Sequence, residues 1–360
     1  MKRIALIIVL VGAIAAFIIV PMLKSDKADY DYGFPASFGF DNSLIATVYG
    51  NDAPLPIVIN DDNVTKVELI FNDSIFQTFD GSNKKVNYVL DADFYGVGAF
   101  PLTLRSYTKD GRQEDDERTI RVLSDISPAP KKAVSVTAYP HERSSYTQGL
   151  EWNNGKLYES TGNPRTADAS SMVGIIDLPT GKILTKNGLD ASYFGEGITM
   201  IGDELFQITW QNGKCFVYDK NNLMLKLRDF TYTGEGWGLT NDGKNIIMSD
   251  GSERIYFRDP KTFNILKTIE VYDNVGPRVA LNELEYIDGK LYANVYLTDY
   301  VLVIDPNTGK VLENIDCSGL EAVGKEGGEV LNGIAWNPAT QKLYMTGKYW
   351  GKLMEVKITD

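Results

Sequence analysis

The stretch QGLEWNNGKLYESTG at residues 148–162 recurs four more times along this 360-residue chain. The other copies are EGITMIGDELFQITW (196–210), WGLTNDGKNIIMSDG (237–251), NELEYIDGKLYANVY (282–296) and NGIAWNPATQKLYMTGK (332–348). Each copy joins two short apolar runs through a turn, and successive copies begin about 46 residues apart, the period of a four-stranded propeller blade. The repeats therefore predict an all-β chain with a five-bladed β-propeller.

Two further features fit this interpretation. The third strand of four repeats ends in an aspartate followed by turn residues: Asp177, Asp219, Asp259 and Asp305. Because aspartate side chains accept hydrogen bonds from turn amides, we expect these four residues to be structural. The fifth repeat ends at KLMEVKITD (352–360), one strand short of a blade. We expect AVSVTAY (133–139) to supply that outer strand and close the last sheet.

The amino terminus carries a membrane signal. Met1-Lys2-Arg3 precedes an uncharged, apolar run at residues 4–23, long enough as a helix to cross a bilayer. The basic flank favours a cytoplasmic start, so we predict an N-terminal transmembrane helix that anchors an exported protein in the cell envelope, with the globular part periplasmic or extracytoplasmic. A cleaved signal peptide is the alternative, because Ala13-Ile14-Ala15 resembles a cleavage site.

Composition changes along the chain predict four segments. Residues 1–24 form the anchor or signal segment, and the polar residues 25–40 form a tether. Six short alternating runs within residues 41–127 predict a small antiparallel β-sandwich of immunoglobulin-like type, a spacer or adhesion module. A proline-containing boundary follows, and residues 131–360 form the propeller domain.

The residue inventory excludes several function classes. A formal charge of -12 gives the chain no general attraction for nucleic acid. A zinc site built on several histidines cannot be assembled from the single His141, which we expect at the surface after Pro140. Cys215 and Cys317 define no disulfide framework and are expected to be free and packed. We predict no cofactor and no metal ligands, leaving open a structural calcium ion in the channel.

Superposing the repeats nominates a site, because equivalent positions of all blades meet around one axis. The residue that opens each repeat differs from copy to copy, although a purely structural position would hold similar residues: Gln148, Glu196, Trp237, Asn282 and Asn332. A second set follows the second strand of each repeat and is expected at the same end of the channel: Gly162, Trp210, Gly251, Tyr296 and Lys348. Together they offer one carboxylate, amides, aromatic walls and one ammonium group.

Residues 131–360 resemble the glutaminyl-peptide cyclotransferases of the plant and bacterial propeller type. The resemblance is carried in order by TQGLEW, YESTG, FGEGIT, LFQITWQNG, GWGLTNDGK, SDG, LNELEYIDGK, LNGIAWN and TGKYWGKL. It implies an acyltransferase of the aminoacyltransferase class that converts N-terminal glutamine of a peptide or protein to pyroglutamate and releases ammonia, without a catalytic metal.

Matched to the family position by position, the resemblance implies that Glu196 is the catalytic acid, that Gln148 and Asn282 supply amides, that Trp210 and Trp237 supply indoles, and that Lys348 is the channel lysine. With the ring positions added, we expect two groups: catalytic Glu196, Lys348 and Asn282, and substrate-binding Gln148, Trp210, Trp237, Tyr296 and Asn332. Tyr296 departs from the tryptophan usual in the family. Glu235, which creates a second Gly-Glu-Gly, is treated as a candidate decoy carboxylate.

Two other functions compete with this interpretation. A non-catalytic periplasmic propeller could bind peptides or glycans in the same aromatic channel, but it would have no reason to combine Glu196, Asn282 and Lys348. A metal-dependent, lactonase-like propeller needs several ligands converging on one ion and usually six blades, whereas five repeats are counted here.

Overall fold

The computed structural model describes residues 33–163 and 171–360 of the chain. Within these residues the regular structure is 28 β-strands, a 3-10 helix at Ala92–Tyr95 and one α-helix, α1, at Ser318–Gly324. The all-β class predicted from the repeats is confirmed.

The amino-terminal part contains two sheets that share one core. Its strands are β1 (Ala36–Phe38), β2 (Leu44–Val48), β3 (Asp52–Ile59), β4 (Val64–Phe71), β5 (Ser74–Asp80), β6 (Lys85–Asp91), β7 (Gly98–Thr108) and β8 (Gln113–Leu123). The sheet orders are β1-β3-β6 and β2-β8-β7-β4-β5. Because side chains alternate between the faces of a strand, Leu55 of β3 and Leu104 of β7 point into the same buried cluster.

This part has eight strands, and the prediction of six was wrong. The two missing strands are β1, which has only three residues, and β5, whose side chains are mostly exposed and therefore show no apolar alternation. The parallel pairing of β2 with β8 also differs from the purely antiparallel sandwich that we expected. The immunoglobulin-like type and the boundaries 41–127 stay predictions.

The remaining strands form the repeats. They are β9 (Ala129–Pro140), β10 (Tyr146–Asn153), β11 (Lys156–Gly162), β12 (Met172–Asp177), β13 (Lys182–Gly188), β14 (Gly195–Ile201), β15 (Glu204–Thr209), β16 (Lys214–Asp219), β17 (Asn222–Thr231), β18 (Leu239–Asn241), β19 (Ile246–Ser249), β20 (Arg254–Arg258), β21 (Ile265–Glu270), β22 (Leu281–Ile287), β23 (Lys290–Val295), β24 (Tyr300–Ile304), β25 (Val311–Asp316), β26 (Leu331–Asn337), β27 (Lys342–Gly347) and β28 (Lys352–Thr359).

The first three repeats each form a four-stranded sheet, in the orders β10-β11-β12-β13, β14-β15-β16-β17 and β18-β19-β20-β21. The last two repeats join in one eight-stranded sheet, in the order β22-β23-β24-β25-β9-β28-β27-β26. In it, β9 pairs in parallel with β25 and then antiparallel with β28, from Lys132 to Pro140. The strand predicted at residues 133–139 to complete the last repeat is thus confirmed.

The first strands of the repeats line a common centre. Strand β10 contacts β14 and β26, β14 contacts β18, and β22 contacts both β18 and β26, so the five strands form a closed ring. Apolar side chains fill the spaces between neighbouring sheets; Phe206 of β15, for example, packs with Leu239 of β18 and Met248 of β19. The fold is therefore propeller-like.

Several local predictions can be compared with the structure. The Asp219 carboxylate accepts a hydrogen bond from the Asn221 amide at 2.8 Å, and the Asp259 carboxylate accepts one from the Lys261 amide at 2.7 Å. Asp305 does the same with Asn307 at 2.9 Å, whereas Asp177 accepts from the Thr180 hydroxyl. The structural role expected for these aspartates is confirmed. The two cysteines are free and buried, also as expected.

The predicted transmembrane helix lies in residues 4–23, outside the described residues. Among the residues that the structure does describe, none belongs to a helix long and apolar enough to cross a membrane.

Candidate active site

The two predicted residue sets lie at one end of the ring. Antiparallel pairing places the start of a repeat's first strand beside the end of its second: Tyr146 lies opposite Gly162, and Leu331 opposite Gly347. The opening residues Gln148, Glu196, Asn282 and Asn332 stand at or near such starts, and Trp237 just precedes β18. Trp210, Tyr296 and Lys348 directly follow β15, β23 and β27.

A buried chain of amides leads to the candidate acid. Asn332 Nδ2 donates to Gln148 Oε1 at 3.1 Å, and Gln148 Nε2 donates to Glu196 Oε1 at 2.9 Å. Asn332 Nδ2 also donates to the Thr147 carbonyl at 3.0 Å, which fixes its orientation. Three opening residues, from three repeats, are therefore held in one network.

Burial shifts the pKa values of Glu196 and Lys348 in opposite directions. It raises the pKa of Glu196 well above its usual value; nearby Lys348 and the Gln148 hydrogen bond oppose this change, and Glu235 adds to it. Burial lowers the pKa of Lys348 to about 8, against the attraction of Glu196 and Glu329. Burial thus raises the basicity of the Glu196 carboxylate and lowers that of the Lys348 amine, and such shifts are typical of groups that act in acid–base catalysis.

Aromatic rings surround Lys348. Its ammonium nitrogen lies 4.6 Å from the ring centre of Tyr146 and 4.8 Å from that of Tyr296, both within cation–π range. Tyr296 packs edge-on against Trp237 with ring centres 5.5 Å apart. On the other side, Phe194 lies between Tyr146 and Trp210, with ring centres 6.0 and 5.8 Å away. These rings form an apolar wall around the polar groups.

Asn282 contributes differently from the other opening residues. Its backbone carbonyl accepts a hydrogen bond from Ser249 Oγ at 2.7 Å. Its side-chain oxygen is buried and, within residues 33–163 and 171–360, has no hydrogen-bond partner; the same holds for Oδ1 of Asn332. Buried unpaired acceptors are costly, and an N–H donor of a bound molecule would satisfy them.

Glu235, the candidate decoy carboxylate, lies beside both tryptophans of the predicted site. Its Oε2 accepts hydrogen bonds from Trp210 Nε1 at 2.7 Å and from Trp237 Nε1 at 2.9 Å. Its Oε1 accepts from Gln211 Nε2 at 3.0 Å. Partial burial alone would raise the pKa of Glu235, but these three hydrogen bonds hold it below its usual value. The carboxylate is therefore ionised at neutral pH.

Sequence reasoning also missed Tyr146 and Phe194, although a signal was present. Both stand two residues before the residue that opens their repeat, and Glu235 occupies the same offset in the third repeat. The superposition that found the ring positions would have found these three if it had been extended by two residues.

His141 is buried, so the expected surface position was wrong. Its Nδ1 donates to the Trp350 carbonyl at 2.9 Å, and its Nε2 lies 3.1 Å from Glu159 Oε1. Burial by itself lowers the pKa of His141, but the Glu159 carboxylate and both hydrogen bonds outweigh it and raise the pKa. Glu159 also accepts from Thr147 Oγ1 at 2.6 Å. His141 therefore supports the strand that carries Gln148.

In the part of the chain that the structure describes, no group of three or more His, Cys, Asp or Glu side chains is arranged to hold a metal ion. The polar groups at the mouth are one buried carboxyl, one buried amine, three amides and the Glu235 carboxylate.

Comparisons with known proteins find similarity to glutamine cyclotransferases. A family model described as glutamine cyclotransferase matches residues 115–358. A curated glutaminyl-peptide cyclotransferase of Arabidopsis thaliana is 40% identical over 241 residues, which cover 65% of this chain and 73% of the relative. The crystal structure of Myxococcus xanthus glutaminyl cyclase is similar at a TM-score of 0.60 and 32% identity, over 65% of this chain and 100% of that one.

Proposed function

The chain belongs to the glutamine cyclotransferase family, and we propose that its pocket converts the N-terminal glutamine of a peptide or protein to pyroglutamate with release of ammonia. This is an acyl transfer within one residue: the α-nitrogen replaces the side-chain nitrogen on the γ-carboxamide carbon. The observation that carries the proposal is the buried Glu196, hydrogen-bonded to Gln148 and electrostatically coupled to Lys348 inside an aromatic wall. A non-catalytic binder of peptides or glycans is not favoured.

The substrate needs little chemical activation for this reaction. Its α-amine has a pKa of about 7.7–8.0, so roughly a tenth to a sixth of it is already uncharged and nucleophilic at pH 7. The ring closure is intramolecular, and the enzyme must mainly fold the glutamine side chain so that the amine reaches its carbonyl. Trp210, Trp237 and Tyr296 would hold the folded side chain and exclude water. Asn332 would keep Gln148 oriented through their hydrogen bond.

Glu196 moves the proton in this scheme. The α-nitrogen attacks the carbonyl carbon and gives a proton to the Glu196 carboxylate; the protonated acid then returns it to the side-chain nitrogen, which leaves as ammonia. The raised pKa suits the first step, because it makes the Glu196 carboxylate a stronger base towards the attacking nitrogen. Lys348, with the amides of Asn282 and Gln148, would stabilise the carbonyl oxygen as it becomes negative.

We also propose the finer organisation of the chain. Five blades are supported by five sequence repeats and by the ring of five first strands. Residues 1–24 would anchor the chain in the membrane, and a tether would follow as far as β1, whose residues Ala36–Phe38 already pair with β3. An immunoglobulin-like sandwich would extend from β1 to residue 127, and residues 131–360 would form the catalytic propeller. The protein would then work at the cell envelope on exported peptides. The proposed reaction uses no cofactor and no catalytic metal.

Glu196→Gln tests the proposed function. The variant removes the proton acceptor but keeps the shape of the side chain, so we expect ammonia release from Gln-Ala and Gln-Phe dipeptides to fall by about 10²–10⁴-fold. Glu117→Gln, an exposed change in the amino-terminal part, is the matched control and should leave the rate unchanged. Assays with and without a chelator should agree. A Glu196→Gln variant with the wild-type rate would refute the role of Glu196.

A further inference from the structure

Glu235 is held in place more firmly than a surface carboxylate would be. It lies between β17 and β18, and the amide of the next residue, Gly236, donates to the Trp210 carbonyl at 2.9 Å. A Cβ at position 236 would overlap the Tyr232 hydroxyl, so only glycine allows the loop to pass there. The backbone thus brings the Glu235 carboxylate to both indoles at a fixed position.

The hydrogen bonds of Glu235 leave its charge uncompensated. A carboxylate offers about four acceptor positions, and three are taken by neutral donors: two indole N–H groups and the Gln211 amide. Among the residues that the structure describes, no lysine, arginine or histidine forms an ion pair with Glu235. Within residues 33–163 and 171–360, one acceptor position and the negative charge of Glu235 therefore remain for a bound molecule.

Trp210 adds a second attraction for a cation beside this carboxylate. Its side chain is 37% exposed, an unusual degree for an indole, and its N–H is already bound to Glu235. The face of an indole attracts ammonium and guanidinium groups. A cavity of about 310 Å³ borders Trp210 and Gln211 and gives room for a side chain next to them.

The depth of the two carboxyl groups gives the direction in which a substrate would lie. Glu196 is buried, whereas Glu235 and Trp210 are partly exposed, and the Glu235 charge still raises the pKa of Glu196. If the N-terminal glutamine reaches Glu196, the residue that follows it must pass the outer pair on its way to solvent.

We propose that Glu235 orients Trp210 and Trp237 and uses its remaining charge to favour peptides with lysine or arginine directly after the N-terminal glutamine. This inference rests on the proposed function, since it names the substrate class of the same pocket. Glu235 is a positioning and specificity residue in this scheme, because it takes no proton from the reacting amine.

The test compares kcat/KM for Gln-Lys, Gln-Leu and Gln-Glu dipeptide amides, measured by ammonia release at low salt. The wild type should prefer Gln-Lys to Gln-Leu, and Gln-Leu to Gln-Glu, by about two- to fivefold at each step, as expected for one partly exposed charge. At about 0.5 M salt these differences should shrink, because the charge is screened over a few ångströms.

Two variants separate the two roles of Glu235. Glu235→Gln keeps an oxygen that accepts both indole N–H groups but removes the charge, so the ratios of kcat/KM between the three peptides should fall to about one, whatever change in rate the peptides share through Glu196. Glu235→Ala also releases the indoles and should lower kcat/KM for all three. Glu117→Gln removes one exposed charge elsewhere and should keep the wild-type order.

The possible results are distinguishable. Equal kcat/KM for the three peptides in the wild type, or the wild-type order retained in Glu235→Gln, would overturn the inference. So would an equal loss for all three peptides in Glu235→Gln, which would mean that the charge acts on the α-amine common to them. If the wild type releases ammonia from none of the peptides, the proposed function itself fails, and this inference fails with it.

Discussion

Two levels of the channel contain buried carboxyl groups with different partners. One level is the mouth, with Glu196, and the other is the deeper layer, with Glu151, Glu283 and Glu285. At the mouth, Glu196 accepts a hydrogen bond from the Gln148 side chain and is attracted by Lys348. Below it, Glu283 accepts hydrogen bonds from two backbone amides, that of Leu150 at 3.0 Å and that of Ile334 at 2.9 Å. Side-chain partners can move during a reaction, whereas strand amides cannot.

The deeper layer fastens the repeats to one another. Glu283 of β22 bridges β10 and β26, and Glu285 of the same strand accepts from the Trp336 amide of β26 at 2.8 Å. Glu151 of β10 accepts from Thr199 of β14 at 3.3 Å. Burial raises the pKa of all three carboxyl groups. The same type of side chain thus lies in the proposed active site at one depth and joins strands of the ring at the next.

The largest effects should come from making the same substitution at both depths. Glu196→Gln should lower kcat by about 10²–10⁴-fold with little change in the free energy of unfolding. Glu283→Gln should leave the rate per folded molecule intact but destabilise the fold, since one strand amide loses its acceptor at a cost of roughly 1–3 kcal/mol. Urea unfolding and ammonia release measured on both variants check this. Loss of activity in folded Glu283→Gln would show that carboxyl groups of the deeper layer also take part in the reaction.

The pH dependence of stability should come from the buried carboxyl groups, of which Glu151 in the deeper layer is one. Burial raises the pKa of Glu151 to about 8 in the folded chain, against about 4.3 for an unperturbed glutamate. Between these values the folded state keeps a proton that the unfolded state has lost. The free energy of unfolding should therefore be highest at acid pH and fall as pH rises towards about 8, by at most about 1.4 kcal/mol per pH unit for this group.

Urea unfolding over this pH range measures the slope. Glu151→Gln, which is neutral at every pH, should make the profile flatter than that of the wild type. Glu196→Gln should flatten the profile in the same direction, because burial also raises the pKa of Glu196. Identical slopes for wild type and Glu151→Gln would show that the Glu151 carboxyl does not hold its proton in the folded chain.

The sequence was sufficient to locate the mouth because its residues recur at equivalent positions of a repeat. Gln148, Glu196 and Asn332 were predicted as ring neighbours from their place alone, and they are hydrogen-bonded to one another. A signal for the deeper layer was also present: Glu283 stands where the other four repeats have glycine. The carboxyl group there supplies acceptors for backbone amides of two other first strands.

Other features had no local signal. His141 is buried because Trp350 and Glu159, remote in sequence, supply acceptors for both ring nitrogens, and nothing around Pro140 indicates this. The edge strand β5 lacks apolar alternation because it is solvent-exposed on most of its length. The offset of two residues from Trp237 indicates that Glu235 lies at the mouth, but its bonds to Trp210 and Trp237 depend on a loop conformation that residue spacing does not reveal.

The smallest effect should come from a change confined to the rim of the mouth. Trp210→Phe removes one hydrogen bond to Glu235, worth about 0.5–1.5 kcal/mol, and should raise KM for Gln-Leu about two- to tenfold. Because Trp210 is partly exposed, water can take over its bond to Glu235, and the free energy of unfolding should change by less than about 0.5 kcal/mol. Steady-state kinetics and urea unfolding measure both quantities. A loss of stability comparable to that of Glu283→Gln would mean that the rim also fastens the ring, and that the two depths do not divide chemistry from assembly.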